Sequence, residues 1–123
     1  MDSDLNMARI RITDLTLKTI IGIFDWERIK KQTVIINIEI EFNASKAIRS
    51  DQVKDTVDYK VITKEIIRHI EASKYFLLEK MADSVLKIVL KDSKIKWASI
   101  RIDKPGALRY AKSVSVELEA KNS

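Results

Sequence analysis

Glu27, Gln32, Tyr59, Glu79 and Lys104 are the residues of this sequence whose types and positions could do chemistry. Each is expected where a strand or helix begins or ends, and a rigid element holds a side chain well at such an open edge. The set holds two carboxylates, an amide, a phenol and an amine. That mixture suits proton transfer around a small polar molecule. It serves metal or thiol chemistry poorly, because the chain has one histidine, His69, and no cysteine. His69 falls on an apolar helical stripe, where a core position is expected of it.

Each of these residues also has a purely structural reading. Lys104 ends a strand and precedes Pro105, which keeps it extended. Gly106 then lets the backbone turn sharply or lie close to a ligand. Alone, Lys-Pro-Gly is a turn with a solvated lysine. Glu27 and Gln32 sit in a polar loop, where Trp26 is the less ordinary residue, since a large aromatic in a loop tends to pack or to bind. Tyr59 opens a helix with its hydroxyl at the rim. Glu79 lies in the first turn of a helix, where a carboxylate complements the free N–H groups.

The elements that position these residues follow from periodicity. Ala8 to Ile23 alternates, and its apolar parity switches near Thr13-Asp14, which a bulge or kink would absorb. Thr33 to Phe42 alternates with Val34, Ile36, Ile38, Ile40 and Phe42 on one face. The two strands flank Phe24 to Gln32 and should form an antiparallel hairpin. Asn43 to Tyr59 shows no clean period. Asp58 is an N-cap candidate for a helix through about Ser73, with Ile62, Ile66, His69, Ile70 and Ser73 on one side. A second helix is expected from about Phe76 to Lys91, with Leu78, Met81, Ala82, Val85 and Val89 as its stripe. Ile95 to Asp103 and Lys112 to Ala120 alternate again. The order β-β-α-α-β-β predicts an α+β fold, a four-stranded antiparallel sheet with two helices on one face. The other face is mixed, with Asn37, Glu39, Arg101, Ser115 and Glu117, and open sheet edges invite neighbouring chains to continue the sheet.

At 123 residues the chain is long enough for one domain with a real core. The reading places it at 8–120, between loose tails at 1–7 and 121–123. No apolar run resembles a signal peptide or reaches the roughly 18 residues of a membrane span. A cytoplasmic location without a membrane partner is the resulting expectation. The net charge of +5 is spread among acidic residues. No basic stripe for nucleic acid is visible, and an anionic small molecule explains the excess equally well.

Several motifs carry a family resemblance. Ile21-Gly22-Ile23-Phe24-Asp25-Trp26-Glu27 followed by Gln32 resembles the dihydroneopterin aldolases of folate synthesis. So do Ser50-Asp51, Asp55-Thr56-Val57-Asp58-Tyr59, Phe76-Leu77-Leu78-Glu79 and Asp103-Lys104-Pro105-Gly106-Ala107. The resemblance runs from Ile10 to Leu118, in family order and spacing. Arg9-Ile10-Arg11-Ile12, Thr63 to His69 and Ala107 to Ser115 look more like the dihydroneopterin triphosphate 2′-epimerase branch. Asp25-Trp26-Glu27 and Gly106 look more like the aldolase branch.

The resemblance implies the tunnelling fold, whose sheets close into an oligomeric barrel as four-membered rings that commonly stack into octamers. It implies sites between subunits, with Tyr59 from one protomer and Glu27, Glu79 and Lys104 from its neighbour. It implies no cofactor and no metal, because a 7,8-dihydropterin carries its own electron sink in the ring C=N. By resemblance Lys104, Tyr59 and Glu27 are catalytic. Glu79, Leu78, Gln32, Val57 and Tyr59 line the substrate. Lys104 would move the 2′-hydroxyl proton through a water, and must be partly neutral to do so, which burial or a nearby cation would favour. Tyr59 would deliver or position the proton on the side-chain carbon. Glu27 would organise the water and Lys104, and Glu79 would pair with the pterin N–H edge. Arg109 and Lys112 could reach substrate phosphates. The implied activity is cleavage of 7,8-dihydroneopterin, with 2′-epimerisation alongside it. The alternatives are an epimerase acting on the triphosphate and a non-catalytic pterin- or purine-binding ring.

Overall fold

A computed structural model describes residues 5–122. Strand β1 (Met7–Ile21) is followed by a 3₁₀ turn (Asp25–Arg28) and by β2 (Gln32–Asn43). Helix α1 (Ser45–Ser50) and a second 3₁₀ turn (Val53–Asp55) lead into α2 (Tyr59–Ala72). Strand β3 (Lys74–Tyr75), helix α3 (Leu78–Leu90), β4 (Ile95–Pro105) and β5 (Ser113–Lys121) complete the chain. The sheet order is β3-β1-β2-β4-β5, with β3 parallel to β1 and the other pairs antiparallel.

The fold is α+β, as expected, but the four-stranded sheet with two helices is corrected to five strands and three helices. β3 is only two residues long, too short to show a period of two. α1 is hidden for a related reason: its Ile48 is 65% exposed while its buried residue is the polar Ser45. An apolar stripe therefore never forms in the sequence. The expected loose ends at 1–4 and 123 lie outside the described residues. Nearer the core the ends are held. The Asn6 N–H donates to Asn43 Oδ1 and Ser45 Oγ, Met7 opens β1, and Lys121 closes β5.

The parity switch in β1 is a bulge. Its register against β2 shifts between Ile12 and Leu15, and Asp14 takes φ +56°. The Asp14 N–H donates to Asn37 Oδ1 at 2.9 Å, and Asn37 Nδ2 donates to Asp14 Oδ1 at 3.2 Å. The bulge returns Leu15 and Leu17 to the same side as Ile12. Val34, Ile36, Ile38 and Ile40 of β2 are buried beside Ala98, Ile100 and Ile102 of β4. Ile66 and Ile70 of α2 and Met81, Val85 and Val89 of α3 cover them. Fully burying each such aliphatic side chain contributes about 1.5–3 kcal/mol. Asp58 caps α2 by accepting the Lys60 and Val61 N–H groups. On the opposite face of the sheet, Arg9 is ion-paired to Glu39 and Glu41 and lies over Trp97.

His69 is not a core residue. It is half-buried beside β3, with Nε2 2.7 Å from the Tyr75 hydroxyl. Among the described residues no group of three acidic, histidine or cysteine side chains could hold a metal ion. None of their helices is long and apolar enough to cross a membrane.

Candidate active site

One end of the sheet carries a buried ion pair. β1 runs out at Ile21, and Gly22 takes φ +128° to turn the chain into the 3₁₀ turn. That turn folds Glu27 back under the strand end, where the residue is only 5% exposed. Glu27 Oε1 accepts the N–H groups of Ile23 and Phe24, each at 3.2 Å. Glu27 Oε2 accepts Gln32 Nε2 at 3.1 Å and Lys104 Nζ at 2.5 Å. Gln32 opens β2 and also donates to Ile21 O at 2.8 Å. Lys104 arrives from β4, extended before Pro105, with its side chain 12% exposed.

Burial pushes the Glu27 carboxyl up, but donation from Lys104, from Gln32 and from the Phe24 N–H outweighs it and holds the group at about 2. Glu27 is therefore a carboxylate at neutral pH. Of the two settings expected for Lys104, burial or a nearby cation, this chain supplies burial, and the charged group bonded to it is the Glu27 carboxylate.

Glu27, Gln32 and Lys104 thus meet within one chain, Gln32 and Lys104 lying 5 and 77 residues from Glu27. The other candidates are distributed differently. Glu79 is exposed in the first turn of α3, at the same end of the sheet, because β3 pairs with Ile20 and Ile21 just before it. Leu78 beside it is half-buried. Arg109 and Lys112 are exposed in the turn between β4 and β5, and the Arg109 guanidinium lies 5.4 Å from the Tyr110 ring centre. Tyr59 is 50% exposed at the start of α2, and Val57 is buried just before it. The other end of α2 is fixed near the ion pair, since Thr19 Oγ1 donates to Ile70 O and Ser73 O. A helix of 14 residues spans about 20 Å. Tyr59 therefore stands toward the opposite end of the same chain. Among the described residues, no hydrogen bond or ion pair joins Tyr59 or Glu79 to the Glu27 cluster.

Two residues of this site have no assigned role in the sequence reading. A Cβ on Gly22 would fall 2.2 Å from Glu27 Cδ, so only glycine leaves room for the carboxylate. Its sequence signal is that it is one of two glycines and stands directly before the acidic turn. Arg28 is the second. Its Nη1 donates to Gly22 O at 2.9 Å and Tyr75 O at 3.0 Å, and its Nη2 donates to Lys74 O at 2.6 Å. The guanidinium also lies 3.9 Å from the Phe76 ring centre. Arg28 thereby ties the acidic turn to β3 and to the segment that enters α3. No local pattern announces a clamp made to backbone carbonyls.

The family model for dihydroneopterin aldolase (FolB) matches residues 10–119. A dihydroneopterin triphosphate 2′-epimerase of Pseudomonas aeruginosa is 43% identical, over 91% of this chain and 91% of the relative. A dihydroneopterin aldolase of Escherichia coli K12 is 33% identical, over 95% and 96%. The crystal structure of E. coli dihydroneopterin aldolase in complex with neopterin superposes with a TM-score of 0.87 at 32% identity, covering 92% of this chain and 98% of that one. Sequence and fold agree over nearly the whole length, and the chain belongs to the dihydroneopterin aldolase family.

Proposed function

We propose that this chain cleaves 7,8-dihydroneopterin by a retro-aldol reaction to 6-hydroxymethyl-7,8-dihydropterin and glycolaldehyde, and epimerises C2′ by re-addition of the aldehyde. The observation that carries the proposal is the buried pair of Glu27 and Lys104, built from the 3₁₀ turn after β1 and the end of β4 and supported by Gln32. A buried charged pair is a weak stability device, so its presence at an open edge points to chemistry.

Cleavage of C1′–C2′ removes one proton from the 2′-hydroxyl and returns one to C1′. No net charge is left behind, and the electron pair is held meanwhile by the ring C=N of the substrate. Lys104 takes the first proton through a water, and Tyr59 delivers or positions the second. Glu27 fixes Nζ and the water. Glu79 receives the parallel N–H bonds of the pterin edge, between Leu78 and Val57, which shape the ring slot. Positioned proton transfer of this kind contributes about 10²–10⁴-fold in rate.

The site is proposed to close between two chains within residues 8–120, in a four-membered ring of sheets that stacks into an octamer. Two observations support this. Tyr59 stands about 20 Å along α2 from the end that holds Lys104. Ile23, Phe24, Trp26, Phe76 and Leu77, around the acidic turn, are each more than half exposed, a patch that a second chain would cover.

A second reading is favoured by a specific observation. The relative named as a triphosphate 2′-epimerase is 43% identical, the one named as an aldolase 33%. Epimerisation uses the same cleavage and keeps the aldehyde for re-addition. The test supplies 7,8-dihydroneopterin and its triphosphate separately and resolves the products. Hydroxymethyldihydropterin from the unphosphorylated substrate is expected. Epimer from the triphosphate alone would establish the second reading, and no product from either would overturn both.

A further inference from the structure

A second concave site lies at the other end of the sheet. β2 ends at Asn43 and β4 begins at Ile95, and the two ends are adjacent because Phe42 pairs with Ile95. α1 and the second 3₁₀ turn flank an open cavity of about 550 Å³ there. Its charged lining is Lys46, Arg49, Lys54, Lys94 and Lys96, with Asp55 the one carboxylate. The lining therefore carries +4 of a whole-chain net charge of +5.

These cations are not balanced locally. Among the described residues, the one ion pair they make is Lys94 with Asp92, at a loose 3.9 Å. Asp55 is already engaged, accepting Ser50 Oγ at 2.6 Å. The base of the cavity is built, with Asn43 Oδ1 accepting the Ser45 N–H at 3.0 Å. A sphere of this volume has a radius of about 5 Å, inside the Debye length of about 8 Å at physiological salt. The five fields therefore add at its centre. Gathering like charges in a concavity costs stability unless an anion shares the space. One isolated phosphate would engage two or three of the cations, whereas a chain of phosphates can reach all of them.

We propose that this cavity binds an oligophosphate, with Lys46, Arg49 and Lys54 as its main contacts. The phosphates come either from the tail of a phosphorylated substrate or from a separate phosphorylated ligand. The first source has a structural basis: Lys54 and Asp55 lie on the segment that leads into Tyr59, so they accompany Tyr59 into any site that Tyr59 shares with a second chain.

The test titrates the full chain with inorganic triphosphate by calorimetry, at low salt and at physiological salt. The wild type is expected to bind at sub-millimolar concentration. Lys46→Gln with Arg49→Gln and Lys54→Gln should weaken binding by about tenfold or more, since charge-assisted bonds dominate phosphate recognition. All three residues are exposed, and an unchanged Tm and oligomer size will verify the fold; Lys46→Gln alone serves if the triple variant does not fold. No binding by the wild type, equal affinity in the triple variant, or loss on replacing Arg109 and Lys112 instead would overturn the proposal. Michaelis constants separate the two sources. A rise for 7,8-dihydroneopterin triphosphate but not for 7,8-dihydroneopterin assigns the cavity to the substrate tail. Unchanged constants with lost triphosphate binding assign it to a separate ligand. Calorimetry reads binding directly, so the proposal stands or falls whether or not the chain turns over a pterin.

Discussion

Gly22→Ala is the substitution that most directly tests how the fold builds the site. A Cβ at position 22 would stand 2.2 Å from Glu27 Cδ and 2.3 and 2.4 Å from its two oxygens. Each distance is more than an ångström inside van der Waals contact. Gly22 also has φ +128°, a conformation that costs a residue with a side chain about 1–3 kcal/mol. The carboxylate must move, which breaks its bonds from the Ile23 and Phe24 N–H groups and releases Lys104. Bonds to a charged group are worth about 1.5–3 kcal/mol each, and water at the loop recovers part of them. The expected net loss is about 2–4 kcal/mol, a fall in Tm of about 10 °C for a chain of this size. Turnover should fall at least about 10²-fold, because the pair proposed to move the proton is taken apart.

A double-mutant cycle isolates the cause. In a Glu27→Ala background there is no carboxylate to displace, so Gly22→Ala should cost the backbone strain alone. A coupling above about 1 kcal/mol is expected from denaturant unfolding of the four proteins. Additive costs would refute the steric argument and leave only the unfavourable φ.

Lys104→Ala should lose at least about 10²-fold in turnover with pterin affinity largely kept, whereas Glu79→Ala should weaken pterin binding; full turnover in the first or unchanged affinity in the second, measured by steady-state kinetics and fluorescence titration, would remove the assigned roles. The folded-state Glu27 carboxyl lies at about 2, below its ordinary 4.5, so its contribution to stability is complete above about pH 4.5 and is lost as pH falls toward 2. The stability gap between wild type and Glu27→Gln should therefore shrink across that window, and a gap independent of pH would contradict the bonding described. Tyr59→Phe and Lys104→Ala, each nearly inactive alone, should regain activity when co-expressed as mixed oligomers, and persistent inactivity of a verified hetero-oligomer would refute a shared site.

Much of this fold is legible because burial follows backbone period. The alternation in β2 and β4, the stripe of α3 and the isoleucines of the α2 stripe are read correctly for that reason, while His69 on the edge of that stripe is not. The β1 bulge is legible too, since an extra residue inverts parity in a way the sequence records. β3 leaves no such record, being two residues whose work is to bond β1 and to offer carbonyls to Arg28. The basic cavity leaves none either. Its cations lie between positions 46 and 96, interleaved with acidic residues, and only the meeting of α1, the second 3₁₀ turn and the start of β4 brings them together. At the ion pair, residue types pointed to Glu27, Gln32 and Lys104. The resemblance puts Glu27 with Lys104, but the direct bond between them depends on which way a 3₁₀ turn folds its third side chain.

The two ends of the sheet divide the labour in a way that residue spacing alone does not convey. One end holds a carboxylate and an amine in a fixed, nearly dry pair, with Glu79 close by on the next helix start. The far end holds the phenol and a pool of unbalanced positive charge. Strand and helix lengths keep these sets apart in any single chain, since α2 is a spacer of about 20 Å. The proton removal and delivery proposed for them require the two sets within a few ångströms of each other. A monomer of this fold cannot satisfy both conditions without unfolding α2. The association proposed above would satisfy both, by bringing a neighbour's far end to the first chain's ion pair. The exposed apolar residues around the acidic turn would give that proposed association a driving force beside the ion pair.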